Sequence, residues 1–229
     1  RRHIHLEPRV QGLQPAAASR RFPSYLAPAM TQLPELPLTL SRQEIRKMIR
    51  QRRRALTPEQ QQEMGQQAAT RMMTYPPVVM AHTVAVFLSF DGELDTQPLI
   101  EQLWRAGKRV YLPVLHPFSA GTLLFLNYHP QSELVMNRLK IHEPKLDVRD
   151  VLPLSRLDVL ITPLVAFDEY GQRLGMGGGF YDRTLQNWQH YKTQPVGYAH
   201  DCQLVEKLPV EEWDIPLPAV VTPSKVWEW

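Results

Sequence analysis

A cluster of glycines is the feature of this sequence best suited to chemistry. Five of the 11 glycines in the 229-residue chain lie between Gly171 and Gly179. An apolar segment precedes the cluster and a predicted helix follows it, so backbone N–H groups and a helix N-terminus can surround an anion there. Arg173 could clamp a phosphate and Asp182 could hold Mg²⁺. The flanking arginine and aspartate favour this interpretation over a glycine-rich turn without a ligand.

The two common nucleotide-binding motifs do not fit this cluster or any other segment. A GxGxxG pattern that starts at Gly175 fails, because Phe180 stands at its sixth position. A GxxxxGK[ST] pattern fails at Gly107-Lys108, because Gln102 stands where the first glycine belongs. The sequence therefore supports neither a Rossmann dinucleotide site nor a Walker P-loop.

An acidic segment is the second candidate for chemistry. Asp91, Glu93 and Asp95 follow a predicted buried strand over residues 83–90. In open α/β sheets, ligands bind at the carboxyl ends of the strands. Helix capping explains Asp95 but not Glu93, which leaves two interpretations of Glu93 open, a substrate or metal contact and a solvated residue of the helix start.

The net charge disfavours a nucleic-acid partner. The chain has 26 Lys and Arg against 23 Asp and Glu, a formal net charge of +3. Residues 1–29 contain five arginines and one glutamate, whereas residues 55–229 carry a net charge of −6. The basic excess lies in the first 29 residues and in a predicted helix over 42–54, so RNA binding stays an alternative for the N-terminal arm alone. In that helix, one or two side chains could contact the phosphates of a nucleotide.

The first 40 residues are predicted to form a disordered leader. Residues 1–37 contain six prolines and no sustained apolar period. Met30 is a candidate start, with residues 1–29 then being upstream sequence. The leader lacks the apolar core of a secretory signal, and no apolar run in the chain approaches a membrane span. With Cys202 as the one cysteine, an intramolecular disulfide is excluded and a cytoplasmic location is expected.

The elements that must position these residues alternate between strand and helix. This alternation predicts one α/β domain over residues 41–229, with a mainly parallel sheet between helices on both faces, a three-layer α/β/α arrangement. A capping box at Ser41 and Glu44 starts the first helix, and Thr57-Pro58 starts the second. Helices are predicted over 42–54, 58–75, 96–106 and 180–191, and strands over 83–90, 109–114, 122–128, 157–162, 164–167, 194–199 and 219–222.

Four segments resemble the 5-formyltetrahydrofolate cyclo-ligase family, also called 5,10-methenyltetrahydrofolate synthetases. Residues 173–182, RLGMGGGFYD, resemble the family signature RLGxGxGYYD. Arg42 and Arg46 resemble its N-terminal Lys-xxx-Arg, residues 88–96 its substrate strand, and residues 209–214 its C-terminal acidic segment. The resemblance covers about residues 41–222, and it implies a fold similar to the NagB/RpiA/CoA-transferase-like fold.

The resemblance implies an ATP- and Mg²⁺-dependent enzyme. Members of this family convert 5-formyltetrahydrofolate to 5,10-methenyltetrahydrofolate, with ADP and phosphate as products, through a phosphorylated formyl group (an imidate phosphate). The expected partners are these small molecules, without nucleic acid or membrane, and a monomer is expected. A sugar-phosphate isomerase that uses the same anion-binding segment without ATP is the alternative.

Matching positions assign candidate site residues. Arg173, Tyr181 and Asp182 are the candidate catalytic residues, and Asp182 and Asp214 are the candidate Mg²⁺ ligands. The candidate ATP contacts are Arg42, Arg46, Arg173, Leu174, Gly175, Met176, Gly177, Gly178, Gly179, Phe180 and Tyr181. The candidate folate contacts are Leu88, Phe90, Glu93, Met176, Gly177, Gly178, Gly179 and Phe180.

Three positions depart from the family pattern. Arg42 stands where a lysine is usual, Gly178 where some members have a lysine, and Phe180 where the first tyrosine of the signature stands. The first change keeps the charge and alters the geometry, whereas the other two remove a phosphate contact and a hydroxyl. Because the glycines and both carboxylates remain, activity is expected.

Overall fold

The structure, a computed structural model, describes residues 40–119 and 121–229. The predicted leader, apart from Leu40, and the candidate start at Met30 lie outside the described residues. In the described part of the chain, no helix is long and apolar enough to cross a membrane.

The predicted helix starts are confirmed. Ser41 Oγ accepts a hydrogen bond from the Glu44 N–H at 3.1 Å, and the Glu44 carboxylate accepts one from the Ser41 N–H at 3.1 Å. Thr57 and Gln60 form a second capping box of the same kind. The helices are Arg42–Arg54 (α1), Pro58–Thr74 (α2), Pro76–Met80 (α3), Gln97–Arg105 (α4) and Phe180–Leu185 (α5).

The strands form one large sheet and two small ones. They are Thr83–Ala85 (β1), Arg109–Leu115 (β2), Leu123–Tyr128 (β3), Leu134–Met136 (β4), His142–Pro144 (β5), Val151–Leu152 (β6), Val159–Thr162 (β7), Ala166–Asp168 (β8), Arg173–Leu174 (β9), Gln194–Tyr198 (β10), Leu204–Val205 (β11), Ala219–Val221 (β12) and Val226–Glu228 (β13).

The large sheet has the order β13-β12-β10-β7-β1-β2-β3-β6. Its central strands, from β12 to β2, are parallel, whereas β13, β3 and β6 are antiparallel to their neighbours. The small sheets have the order β11-β8-β9 and the pair β4-β5. The predicted mainly parallel sheet is thus confirmed, with antiparallel strands confined to its two edges.

The two faces of the large sheet are covered differently. Helices α2, α3 and α4 pack on one face, where Met72, Leu99 and Ile161 are buried in one core. The other face is covered by α5, by a 3₁₀ turn at Trp188–His190 and by the chain around β8, with Phe167 buried against it. Helices lie on both faces as predicted, but the second helical layer is thin.

Two predicted elements are shorter than expected. Of the strand predicted over 83–90, only Thr83–Ala85 (β1) pairs as a strand, and the chain beyond it turns at Asp91 (φ 53°) and Gly92 (φ 77°). The helix predicted over 180–191 ends at Leu185, because Gln186 (ψ 126°) and Asn187 (φ 61°) leave the helical conformation. Apolar periodicity reveals neither boundary.

Candidate active site

A cavity of about 610 Å³ opens at the carboxyl ends of β1, β2 and β7. Its walls come from the N-terminal half of α1, the segment after β1, the end of β2, the β4–β5 hairpin and the glycine segment at 175–179. This is the edge of an open α/β sheet at which ligands bind.

The cavity brings together most of the predicted site residues. The following line it: Arg42, Arg46, Leu88, Phe90, Glu93, Arg173, Gly175, Met176, Gly177, Gly178, Gly179, Phe180, Tyr181 and Asp182. Leu174 does not line it, because its side chain is buried with Ile45 and Ile49 of α1. Asp214 does not line it either, and lies behind Arg42. For Leu174, a contact with ATP could therefore come only from its backbone.

The glycine segment has a backbone that side chains would disturb. Gly177 has φ 108° and Gly179 has φ 70°, both in the left-handed region. A Cβ atom on Gly178 would lie 2.8 Å from the Phe180 ring. From α5, Arg183 donates a hydrogen bond to the carbonyl oxygen of Gly178. The segment is thus a tight turn at the start of α5, and the Arg183 side chain stabilises it by a hydrogen bond.

Arg173 and Asp182 form a largely buried ion pair in the cavity wall. Arg173 Nη2 donates to Asp182 Oδ1 at 2.8 Å, and the backbone N–H of Ile215 donates to the same oxygen at 3.1 Å. Burial lowers the pKa of Arg173, while the charge of Asp182 raises it. Among the described residues, nothing accepts a hydrogen bond from the buried Arg173 Nε. The guanidinium group therefore keeps one N–H donor that no described protein group uses, in a residue that lines the cavity.

Two arginines in the first two turns of α1 bind the glycine segment and the C-terminal segment at residues 209–214. Arg46 Nε donates to the carbonyl oxygen of Gly175 at 2.7 Å. Arg42 binds Asp214 with two hydrogen bonds, at 2.7 and 3.1 Å, and also donates to the Pro209 carbonyl oxygen at 3.2 Å. Three arginines, including Arg173, thus converge beside the glycine segment, an arrangement that suits phosphate groups.

The two candidate metal ligands differ in how freely they could bind an ion. Both oxygens of Asp214 accept from Arg42, and one of them also accepts from the Glu211 N–H. Asp182 uses Oδ1 for Arg173, and its Oδ2 has no hydrogen-bond donor among the described residues. In that part of the chain, no three His, Cys, Asp or Glu side chains lie close enough to form a metal site. Two carboxylates would suit a Mg²⁺ ion that takes its other ligands from a bound molecule better than a metal centre built from protein side chains alone.

Glu93 is a buried carboxyl group at the opposite wall. It is 7% exposed. Burial raises its pKa to about 7, against the lowering effects of a hydrogen bond from the Phe90 N–H (3.1 Å) and of the Arg53 charge. Burial and the charge of Glu93 also raise the pKa of Tyr181. A carboxyl group that titrates near neutral pH in a cleft is typical of functional sites. The structure excludes the solvated interpretation of Glu93.

The sequence-based prediction lacks several parts of the cavity wall, of which the β4–β5 hairpin and Trp213 contribute the most polar and aromatic groups. The β4–β5 hairpin contributes apolar and polar residues, and Glu143 ties it to β2 by accepting from the Leu115 N–H at 3.2 Å. Trp213 contributes an indole that is 64% exposed at the cavity mouth. A tryptophan within an acidic segment is a sequence signal that could have identified Trp213 as a site residue. The hairpin residues that line the cavity are Asn137, Leu139, Ile141, His142 and Glu143.

The fold and the site together define an α/β protein with an arginine-flanked glycine segment and a cavity at the carboxyl edge of a parallel sheet. Comparison with known proteins gives the particular group: the model of the 5-formyltetrahydrofolate cyclo-ligase family matches residues 39–223. The chain therefore belongs to this family, and the resemblance found in the sequence is confirmed.

Individual relatives agree with this assignment. The chain is 53% identical to a 5-formyltetrahydrofolate cyclo-ligase of Haemophilus influenzae, over 78% of this chain and 96% of that protein. It is 31% identical to one from Mycolicibacterium smegmatis, over 81% of this chain and 95% of that protein. The NMR structure of the Aquifex aeolicus 5,10-methenyltetrahydrofolate synthetase superposes with a TM-score of 0.71 at 28% identity, covering 82% and 93% of the two chains.

Proposed function

We propose that this chain converts 5-formyltetrahydrofolate to 5,10-methenyltetrahydrofolate at the expense of ATP, with Mg²⁺, and releases ADP and phosphate. One observation carries the proposal: the arginine-flanked glycine segment and the buried Glu93 open on the same cavity. An anion-binding wall that faces a partly apolar wall with one carboxyl group suits a nucleotide and a pterin side by side.

The chemistry requires positioning and charge neutralisation more than a protein nucleophile. The formyl oxygen attacks the γ-phosphorus and the bond to ADP breaks, which gives the imidate phosphate. N10 then bonds to the formyl carbon and loses its proton, and the C–O bond breaks as phosphate leaves. In this proposal, Arg42, Arg46 and Arg173 neutralise the phosphate charge. The glycine segment holds the γ-phosphate so that the attacking formyl oxygen and the leaving ADP oxygen lie on opposite sides of the phosphorus.

Mg²⁺, when bound with ATP, supplies further neutralisation of the phosphate oxygens. Asp182 would hold it through Oδ2, and Asp214 would do so once Arg42 turns from it towards the phosphates. On the folate side, Leu88, Phe90 and Tyr181 would pack against the pterin, and Glu93 would bind its polar edge. We also propose a monomer located in the cytoplasm. The lone, buried cysteine supports the location, because it needs no disulfide.

A direct assay tests the proposal. Protein, ATP, Mg²⁺ and 5-formyltetrahydrofolate are mixed, and the absorbance of the methenyl product is followed. We expect product only when ATP is present. Absence of ATP-dependent product at micromolar enzyme would show the proposal to be wrong.

Ligand-induced stabilisation separates the cyclo-ligase from the sugar-phosphate isomerase alternative. ATP at 100 times its Kd is expected to stabilise the folded state by about 2.7 kcal/mol, because it binds only the folded chain. An isomerase without a nucleotide site would show no shift in melting temperature with Mg-ATP and a clear shift with a sugar phosphate.

Trp213 gives an optical signal for binding. We expect ATP to quench tryptophan emission in the wild type but not in Trp213→Phe, because Trp213 is the exposed indole at the cavity mouth. Trp188, Trp227 and Trp229 are buried, and the half-buried Trp104 does not line the cavity. Loss of an aromatic contact in Trp213→Ala should weaken ATP binding by roughly two- to tenfold. Equal quenching in the wild type and Trp213→Phe would show that the nucleotide does not bind against Trp213.

A further inference from the structure

The C-terminal half of α1 holds a second group of arginines, which surrounds Asp91 next to the candidate folate contacts Phe90 and Glu93. Arg50, Arg53 and Arg54 all approach the carboxylate of Asp91, at 3.9 Å, 3.6 Å and, through Arg54 Nε, 2.8 Å. The side chains of Arg50 and Arg54 are 34% and 61% exposed, whereas that of Arg53 is 1% exposed. Arg53 is thus a fully buried cation directly behind the turn that carries Phe90 and Glu93.

Arg53 holds this turn through its backbone. Arg53 Nη2 donates to the carbonyl oxygen of Asp91 at 3.0 Å. Gly92 lies against Arg53 so closely that a Cβ atom on it would be 3.3 Å from the Arg53 Cβ. Gln61 and His200 bind the Gly92 carbonyl oxygen at 3.2 and 3.1 Å. Asp91 itself has φ 53°, a conformation that a non-glycine residue keeps only when its surroundings hold it.

These contacts satisfy only part of the hydrogen-bonding capacity of the Arg53 guanidinium group. Among the described residues, its buried Nε and Nη1 have no hydrogen-bond partner. Burial lowers the pKa of Arg53, and the charges of Glu93 and then Asp91 act in the opposite direction. A buried guanidinium is unfavourable unless charges of opposite sign offset its desolvation. In this chain, those charges belong to the two acids of the folate-side turn.

We propose that Arg53 is a positioning residue of the folate site, which fixes the turn at residues 90–93 from behind and places a buried positive charge beside the acids of that turn. The inference rests on the proposed function, because it takes Glu93 as a folate contact. Arg53 does not line the cavity, so it acts through Glu93 and not on the ligand. Helix α1 then serves both substrates, with Arg42 and Arg46 at the phosphate end and Arg53 at the folate end.

Three groups act on the Glu93 carboxyl group, namely Arg53 from α1, Tyr181 from α5 and Asp91 from the same turn. His200, from the segment after β10, contacts the backbone of this turn at Gly92 and Glu93. Burial lowers the pKa of His200 to about 4 and raises that of Tyr181, so both are neutral at neutral pH. Asp91 raises the pKa of Glu93 and Arg53 lowers it. Loss of the Arg53 charge must therefore move the pKa of Glu93 upwards.

Variants of Arg53 test this role through the pH dependence of kcat/KM for 5-formyltetrahydrofolate. In the wild type, we expect kcat/KM to fall as the pH is lowered, because Glu93 becomes protonated. The midpoint of this fall should lie near the Glu93 pKa of about 7. Arg53→Gln keeps a donor for the Asp91 carbonyl oxygen but loses the charge, so the midpoint should rise by about one pH unit. Arg53→Met should shift it likewise and also raise the KM for folate by about tenfold, with the KM for ATP unchanged.

Arg53→Lys separates charge from position. Lysine keeps the charge but cannot reproduce the planar guanidinium contact with Asp91, so we expect an unchanged midpoint with a raised KM for folate. If Arg53→Met and Arg53→Gln fail to fold, this variant carries the test alone, and an unchanged KM for folate would overturn the proposal.

The matched control is Arg54→Gln, which removes an exposed partner of the same Asp91 carboxylate. An exposed ion pair contributes little, so this variant should keep the wild-type profile. A purely structural role of Arg53 would lower the melting temperature of its variants without moving the midpoint, and that result in a folded variant would overturn the inference. Failure of the proposed function is distinct, since the wild type itself would then form no ATP-dependent product.

Discussion

Asp182→Asn is expected to lower kcat by about 100- to 1,000-fold, the usual effect of removing one preorganised electrostatic group from an active site. The Asp182 carboxylate faces the cavity, balances the charge of Arg173 at 2.8 Å and has one oxygen left for an ion. Asparagine keeps an oxygen that can accept from Arg173 and from the Ile215 N–H, so the fold should persist. Steady-state kinetics with saturating ATP and folate measure the change.

The aspartate must be replaced by asparagine and not by alanine. In Asp182→Ala, Arg173 would remain buried without its partner, which typically costs about 3–5 kcal/mol, so loss of activity could reflect loss of the fold. Asp147→Asn is the matched control, because Asp147 also pairs with an arginine at 2.7 Å but does not line the cavity. A kcat near the wild-type value in Asp182→Asn would remove Asp182 from both the metal and the phosphate interactions.

Gly177→Ala is expected to lower kcat/KM for ATP by about 100-fold, as a displacement of about 1 Å in a positioning segment can do. Gly177 has φ 108°, where a Cβ atom is strained whatever space surrounds it. The segment can relieve this strain only by changing the backbone that is proposed to wrap the phosphates. Because the segment is exposed at residues 176–178, the fold itself should be little affected.

Gly107→Ala separates backbone strain from the effect on the site. Gly107 also has a positive φ, 76°, and its Cβ would meet no atom within 4 Å. It follows α4 and does not line the cavity, so this variant should lose some stability and keep its ATP kinetics. If both alanine variants show the same kcat/KM, the left-handed conformation of Gly177 has no functional role.

Local features of the fold could be predicted because neighbouring residues decide them. The capping boxes at Ser41 and Thr57 depend on residues three positions apart, and both are present. The parallel core follows from apolar strands that alternate with helices. By contrast, β1 ends at Ala85 although the apolar run continues to Phe90, and α5 ends where Gln186 and Asn187 leave the helical conformation. Apolar periodicity indicates neither end.

The candidate site could be located from the sequence but not assembled from it. The signature at residues 173–182 identifies the family, and it contains the glycine segment and the Arg173–Asp182 pair of the cavity wall. This was possible without a structure, because these residues lie within ten consecutive positions. The β4–β5 hairpin was not predicted as part of the site, since its place beside β2 depends on contacts such as Glu143 with Leu115, 28 residues apart.

By itself, the sequence determined the fold class, the family and the residue types available for phosphate and folate. Only the tertiary structure decided that Arg42 pairs with Asp214 across 172 residues, and that Arg53 lies buried behind Glu93. The physical reason is that a charge acts according to its distance from other charges and its burial, and folding sets both. A glutamate with an ordinary pKa in the unfolded chain thereby becomes a group that titrates near pH 7 in the folded one.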